Sequence, residues 1–192
     1  MRKLVYLIAM TIDGYISSAP TDNPDFYFVE GPQASDLLEE FPDMIPTHVR
    51  PLIGMAPETP NRRFDTVLMG RNTYEIAARS GITSPYSHLR QIVISGTFDD
   101  EDHPEVEVWN KNVRERVQQL KREDGADIWL CGGSSLATAL VEDIDEMILK
   151  ISPVVLGSGV PLFDDRVGPR HLTLTDHRVY DNGFALVRYQ QS

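Results

Sequence analysis

Cysteine is nearly absent: Cys131 stands alone in 192 residues. No internal disulfide can form, and the composition suits a reducing compartment, the cytoplasm being the expectation. Positive charge is also scarce. Eighteen Lys and Arg stand against 29 Asp and Glu, a formal net charge of −11. That balance argues against a general affinity for nucleic acid or for anionic membranes, since both need clustered positive charge. No apolar run approaches the roughly 20 residues of a membrane span. Residues 4–10 follow Met1-Arg2-Lys3 in the manner of a signal peptide. The run is too short, however, and Asp13-Gly14-Tyr15 follows with no small-residue cleavage site, so a buried strand is expected. The histidines (48, 88, 103, 171 and 177) show no paired ligand spacing, and no metal site is expected. A P-loop and a G-x-S-x-G elbow are missing as well. Gly157-Ser158-Gly159 continues Val-Pro-Leu, without the third glycine and helix start of a Rossmann turn.

What is present is an alternation of short apolar runs and helical patterns. Runs at 4–10, 66–69, 91–95, 106–109 and 127–131 read as strands, and 146–151 and 154–156 as extended. Helical spacing appears at 34–41, 72–78, 113–122 and 135–141. Strands interleaved with helices imply a largely parallel sheet covered on both faces. Two closing runs, 171–180 and 184–189, flank Asp181-Asn182-Gly183 and predict an antiparallel edge hairpin. Its Leu172, Leu174 and Val179 suit either a dimer interface or the core. The chain reads as one α/β domain with a mixed sheet. Residues 42–63 stand apart, with prolines at 42, 46, 51, 57 and 60; these predict an ordered excursion rather than a helix, and a lid over a site is one use for such a loop.

Three strand ends carry small residues. The run 128–136 (IWLCGGSSL) passes from a buried strand through Gly132 and Gly133 into a Ser-rich helix start. Glycines permit close backbone approach, and free amides at a helix start suit a pyrophosphate. A plain tight turn capped by Ser134 or Ser135 fits the same residues. The run 67–75 (VLMGRNTYE) repeats the pattern, with Arg71 able to pair with a phosphate or simply to sit on the surface beside a capping Thr73. Ser95-Gly96-Thr97 ends a third strand. A dinucleotide lying across the carboxyl edge of the sheet would use all three ends, and an arginine distinguishes NADP from NAD through the 2′-phosphate. Cys131 reads as a small core residue.

In register, LIAMTIDGYIS (7–17), VLMGRNTYE, IVISGT, WLCGGSSLATAL and ISPVVLGSGVPLF resemble the dihydrofolate reductase superfamily. They are similar in particular to the reductase domain of the riboflavin-biosynthesis deaminase/reductase and its stand-alone bacterial relatives. The resemblance covers nearly the whole chain except 42–63. It implies a three-layer fold with NADPH extended across the sheet, and homodimers are common among relatives. By this likeness Asp13 and Gly14 belong to a mobile loop near the nicotinamide, and Ala9 and Met10 line its pocket. Gly70, Arg71 and Thr73 would meet the adenosine side, Ser95 and Gly96 the adenine, and Gly132, Gly133, Ser134, Ser135 and Leu136 the pyrophosphate. Leu156, Gly157, Gly159 and Phe163 would border the substrate or the nicotinamide end. The implied activity is NADPH-dependent reduction of a small heterocyclic or ribosylamino-pyrimidine substrate. Dihydrofolate reduction proper and a non-catalytic NADP-binding role are the alternatives.

Two departures matter. Folate reducers carry a carboxylate on the first helix, and Asp36 is the candidate here, although acidic residues also favour any helix start. The insertion holds His48, Arg50, Arg62 and Arg63 against Asp43 and Glu58, a basic island that either binds an anionic substrate group or is solvated surface. A zinc deaminase signature needs cysteines that this chain lacks.

Overall fold

The structure, a computed structural model, describes residues 1–19, 31–98, 101 and 103–191. In chain order the elements are β1 (Leu4–Thr11), β2 (Tyr15–Ser17), α1 (Pro32–Glu40), β3 (Phe64–Gly70), α2 (Arg71–Ala78), β4 (Arg90–Ile94), β5 (Glu107–Trp109), α3 (Val113–Leu120), β6 (Asp127–Gly132), α4 (Ser134–Ala139), β7 (Glu146–Ser152), β8 (Val160–Pro161), β9 (Leu172–Val179) and β10 (Ala185–Gln191). Eight strands form one sheet in the order β5-β4-β3-β6-β1-β7-β10-β9. The pairs from β5 to β7 are parallel, and β10 runs against both β7 and β9.

All eight residues of β1 are buried because helices cover both faces of the sheet. Tyr6, Ile8 and Met10 pack on one face with Val117 and Leu120 of α3 and Leu136 of α4. Val5 and Leu7 pack on the other with Leu37 of α1 and Tyr74 of α2. This two-residue alternation is the pleat expressed in packing. Phe64 stacks between Phe41 and Trp129, with ring centroids 6.4 and 6.3 Å away. Parallel pairing gathers the ends of β1, β3, β4, β6 and β7 at one edge, so Thr11, Gly70, Ile94, Gly132 and Ser152 become neighbours along it.

The closing hairpin forms as the sequence predicts, with Gly183 at φ 83° in its turn. Leu172 packs against the core, whereas Leu174 and Val179 face outward. The extended segment expected at 154–156 is not a strand. Pro153 cannot donate to a ladder, and the amides of Leu156 and Gly157 bond instead to the Asp13 carboxylate, at 3.0 and 2.7 Å. Regular pairing resumes at β8, which joins β2 in a separate two-stranded sheet. There Gly159, at φ 157°, passes so close to β2 that a Cβ would lie 2.3 Å from the Ser17 carbonyl oxygen.

The insertion is ordered through buried polar groups. It holds two short 3₁₀ turns, Pro42–Met44 and Arg50–Ile53. The buried Asp43 carboxylate accepts from the amides of Arg62, Arg63 and Phe64, each at 2.8 Å. His88 binds the Asp43 carbonyl through Nε2 at 2.9 Å and meets the Thr47 hydroxyl through Nδ1 at 2.8 Å.

Candidate functional site

A cleft of about 790 Å³ opens along the carboxyl edge. Its floor is made by the ends of β3 and β6: Met69, Gly70, Cys131, Gly132 and Gly133 all line it. Gly132 takes φ 125° and is joined to Gly133 by a cis peptide. A Cβ on Gly70 would stand 3.6 Å from the Gly132 carbonyl oxygen and the Gly133 amide, so the two turns abut. Both lead straight into helices. Gly70 caps α2 and Gly133 caps α4, neither with a side-chain hydrogen bond. The sequence expectation that Ser134, Ser135 or Thr73 serves as cap is therefore not met; all three line the cleft instead. Ser134 is buried, yet its Oγ has no hydrogen-bond partner. A buried hydroxyl left unmatched at a cleft wall marks a place for a polar ligand atom.

Arg71 lines the same cleft. Its Nη1 donates to the Thr97 hydroxyl at 3.1 Å and its Nε stands 3.4 Å from Glu75. The half-exposed guanidinium is thus oriented while part of it faces open space. Ser95 lies behind it: its Oγ accepts from the amides of Thr97 and Phe98, which fixes the turn after β4, and Gly96 is exposed there. Ile8, Ile16 and Val160 add apolar side chains to the lining, and Ser17 and Leu136 are on it too.

Other expected site residues lie outside this lining. Ala9 and Met10 are buried on opposite faces of β1, and Ile8 reaches the cleft in their place. Gly14 sits at φ 90° in the turn after β1. Asp13 clips that turn to Leu156 and Gly157. Hydrogen bonds from the Thr11 hydroxyl and the Gly157 amide hold its carboxyl below the usual carboxylate range. Phe163 packs edge-on against Tyr6 at 5.6 Å. Arg50, expected as an anion ligand, lies outside the cleft lining. It is 0% exposed and donates to the carbonyls of Pro57, Thr59 and Pro42 at 2.9, 3.1 and 3.2 Å. Its insertion neighbours are paired too, Arg62 with Glu39 and Arg63 with Glu146. Asp36, expected as the first-helix carboxylate, also lies outside that lining. Its carboxylate accepts from the Tyr180 hydroxyl at 2.8 Å and faces Arg178 at 3.6 Å, in a shallow depression apart from the cleft. Helical spacing sets Asp36, Glu39 and Glu40 together, and the arginines of the closing hairpin draw that face toward them.

Pro46 and His48 of the proline-rich insertion line the cleft. Sequence reasoning missed Tyr86 before β4, which also lines it; no local pattern marks that residue, because only the fold brings its segment to the carboxyl edge. Cys131 lines the cleft as well as packing against the core, and burial pushes its thiol up to about 12. Among the described residues no group of His, Cys, Asp and Glu is arranged to hold a metal, and no helix is long and apolar enough to cross a membrane.

Known proteins place this architecture. Two uncharacterized proteins of Bacillus subtilis are similar in sequence. YwjB is 37% identical over 112 residues, which cover 57% of this chain and 64% of YwjB, so the match spans less than two thirds of that relative. YyaP is 31% identical, with 98% of this chain and 94% of YyaP covered. Among solved structures, a putative riboflavin biosynthesis protein from Shewanella sp. PV-4 superposes with a TM-score of 0.67 at 22% identity, covering 100% of this chain and 99% of that one. A dihydrofolate reductase from Enterococcus faecalis, solved with NADP(H) and RAB-propyl, gives 0.64 at 13% identity, covering 99% and 96%. These likenesses show a dihydrofolate-reductase-like α/β fold. The profile of the RibD C-terminal domain matches residues 2–186, and the chain belongs to that family.

Proposed function

We propose that this protein is an NADPH-dependent reductase acting on a small oxo- or imino-heterocycle of the pyrimidine or pterin type. The observation that carries the reading is the pair of abutting glycine turns at Gly70 and Gly132–Gly133, with the unmatched Ser134 hydroxyl between cleft and helix. These residues fit a dinucleotide. The backbone from Gly132 to Leu136, with the Ser134 and Ser135 hydroxyls, would hold the diphosphate, where bare glycines admit it and helix amides face it. Arg71, steadied by Thr97, would take the 2′-phosphate, and the turn at Ser95 and Gly96 would border the adenine. Ile8, Ile16 and Val160 offer an apolar, water-excluding surface at the nicotinamide end. Bound there, the cofactor supplies a hydride; the protein's part is position, exclusion of water and a proton.

Binding and turnover test this separately. Calorimetry should give tighter binding of NADPH than of NADH, and Arg71→Ala should remove about tenfold of the NADPH affinity, the scale of one exposed charge-assisted contact, while leaving NADH unchanged. Loss of nicotinamide absorbance with 5-amino-6-(5-phosphoribosylamino)uracil or dihydrofolate should then report reduction. Absence of NADPH binding would refute the reading. Tight binding without oxidation of NADPH on either compound would favour a binding protein without turnover.

A further inference from the structure

The cleft straddles the end of the sheet. Met69, Tyr86 and Cys131 line it from the face that carries α1, α2 and the insertion, whereas Ile8, Ile94 and Leu136 line it from the face of α3 and α4. Both faces open into one cleft because β1 and β6 part at their carboxyl ends. They pair only from Leu4 with Ile128 to Tyr6 with Leu130, although β1 follows β7 as far as Thr11. On the first face the insertion forms a wall. The Thr47 amide donates to the Pro85 carbonyl at 2.7 Å and the Thr47 hydroxyl meets His88, which ties the insertion to the segment before β4. Pro46, Val49, Ile76, Ile82 and Pro85 make this arm of the cleft apolar. Tyr86 adds an aromatic ring, set edge-on to Trp129 at 5.0 Å. His48 is exposed on the same lining, and among the described residues no hydrogen bond or ion pair engages it. The Val49 and Arg50 amides both donate to the Pro46 carbonyl, at 2.9 and 3.2 Å, and so fix the backbone on either side of His48. The arginines of the insertion are held elsewhere: Arg50 by backbone carbonyls, Arg62 by Glu39, and Arg63 by Glu146 and Asp127. Among the described residues the lining then has two basic side chains, His48 in this arm and Arg71, which is tied to Thr97 and Glu75.

We propose that this arm is the pocket for the substrate ring, that His48 is its specificity-determining residue, and that it selects a flat heterocycle without using a phosphate. The inference rests on the NADPH-dependent reading above and names the substrate class of the same cleft. Apolar walls with one aromatic ring gain from burying a flat ring system. A phosphate carried into the arm would lose its hydration and meet one imidazole in place of an arginine fork. A group of that charge is costly to bury without paired donors. The ring of the substrate, in contrast, can use the imidazole directly. Its two nitrogens suit the alternating N–H and C=O groups on the rim of a pyrimidine or pterin. Because the backbone around His48 is fixed in advance, little ordering cost falls on that contact.

A pair of substrates tests the class. 5-Amino-6-ribosylaminouracil should be reduced with a kcat/KM at least equal to that of its 5′-phosphate. A loss of about tenfold or more on removing the phosphate, the scale of a lost charge-assisted contact, would overturn the proposal. His48→Ala should raise KM for both compounds alike, by roughly threefold to tenfold, the scale of one lost hydrogen bond, with kcat little changed. His48→Gln keeps a donor and an acceptor and should recover most of that loss. A rise confined to the phosphorylated compound would make His48 an anion ligand and overturn the class, and an unchanged KM for both would remove His48 from the pocket. A second readout is independent of turnover: modification by diethyl pyrocarbonate followed by peptide mass spectrometry. 6-Methylpterin should protect His48 and inorganic phosphate should not; protection by phosphate alone, or by neither, would reject the pocket. If the wild type oxidises NADPH with neither uracil compound nor dihydrofolate, the functional reading fails, and the labelling decides by itself whether this arm takes a ring.

Discussion

Arg50→Met removes a guanidinium that the structure makes an internal strut. Arg50 is 0% exposed, and its Nη atoms serve the carbonyls of Pro57, Thr59 and Pro42. Burial pushes its pKa down, and the nearby Asp43 carboxylate raises it in part. Methionine fills the aliphatic stem of the site but takes the side-chain donors from the Pro57 and Thr59 carbonyls, while the Pro42 carbonyl keeps the Ile45 amide. An orphaned acceptor away from water costs about 1–3 kcal/mol. Part of that is offset, because a charge no longer has to be kept out of water. A net loss of about 3 kcal/mol is the working value. For a chain of this size each kcal/mol lowers Tm by roughly 2–4 °C, so a fall of about 6–12 °C is expected in a thermal melt. Urea unfolding should move its midpoint with little change in slope. KM for an active substrate should stay unaltered below the transition. The opposite pattern, an unchanged Tm with a raised KM, would refute the strut and restore this arginine as an anion ligand.

Two further outcomes follow from buried groups and close approaches. Burial, with the Arg50 charge behind it, holds His88 below its ordinary 6.5, although its bond to the Asp43 carbonyl works the other way. The folded state then binds fewer protons, so its contribution is full above 6.5 and falls as pH drops toward the folded pKa. Urea midpoints should decrease between about pH 7 and 5, and His88→Gln should flatten the slope; an unchanged slope would contradict the role given to His88. Gly159→Ala would drive a methyl into the Ser17 carbonyl at a φ that L residues avoid, costing about 2 kcal/mol or more. Hydrogen exchange should quicken across β2 and β8 and stay unchanged in the central sheet, and uniform protection in the variant would argue against the close approach.

Much of this protein was legible in its sequence. Apolar runs long enough to be buried on both sides, punctuated by helical spacing, require a covered and largely parallel sheet, and one forms. Asn182-Gly183 turns the closing hairpin because glycine accepts φ 83° there. The glycine turns at Gly70 and Gly132–Gly133 were visible too, since backbone approach needs residues without side chains. Charges were illegible where their partners lay far along the chain. Carbonyls from both ends of the insertion surround Arg50, and the closing hairpin brings Tyr180 and Arg178 against Asp36 of α1. Periodicity and backbone freedom are local properties, so the sequence by itself determined the sheet and its turns. Burial and the meeting of distant charges are not local, and only the tertiary structure decided which of them face the cleft.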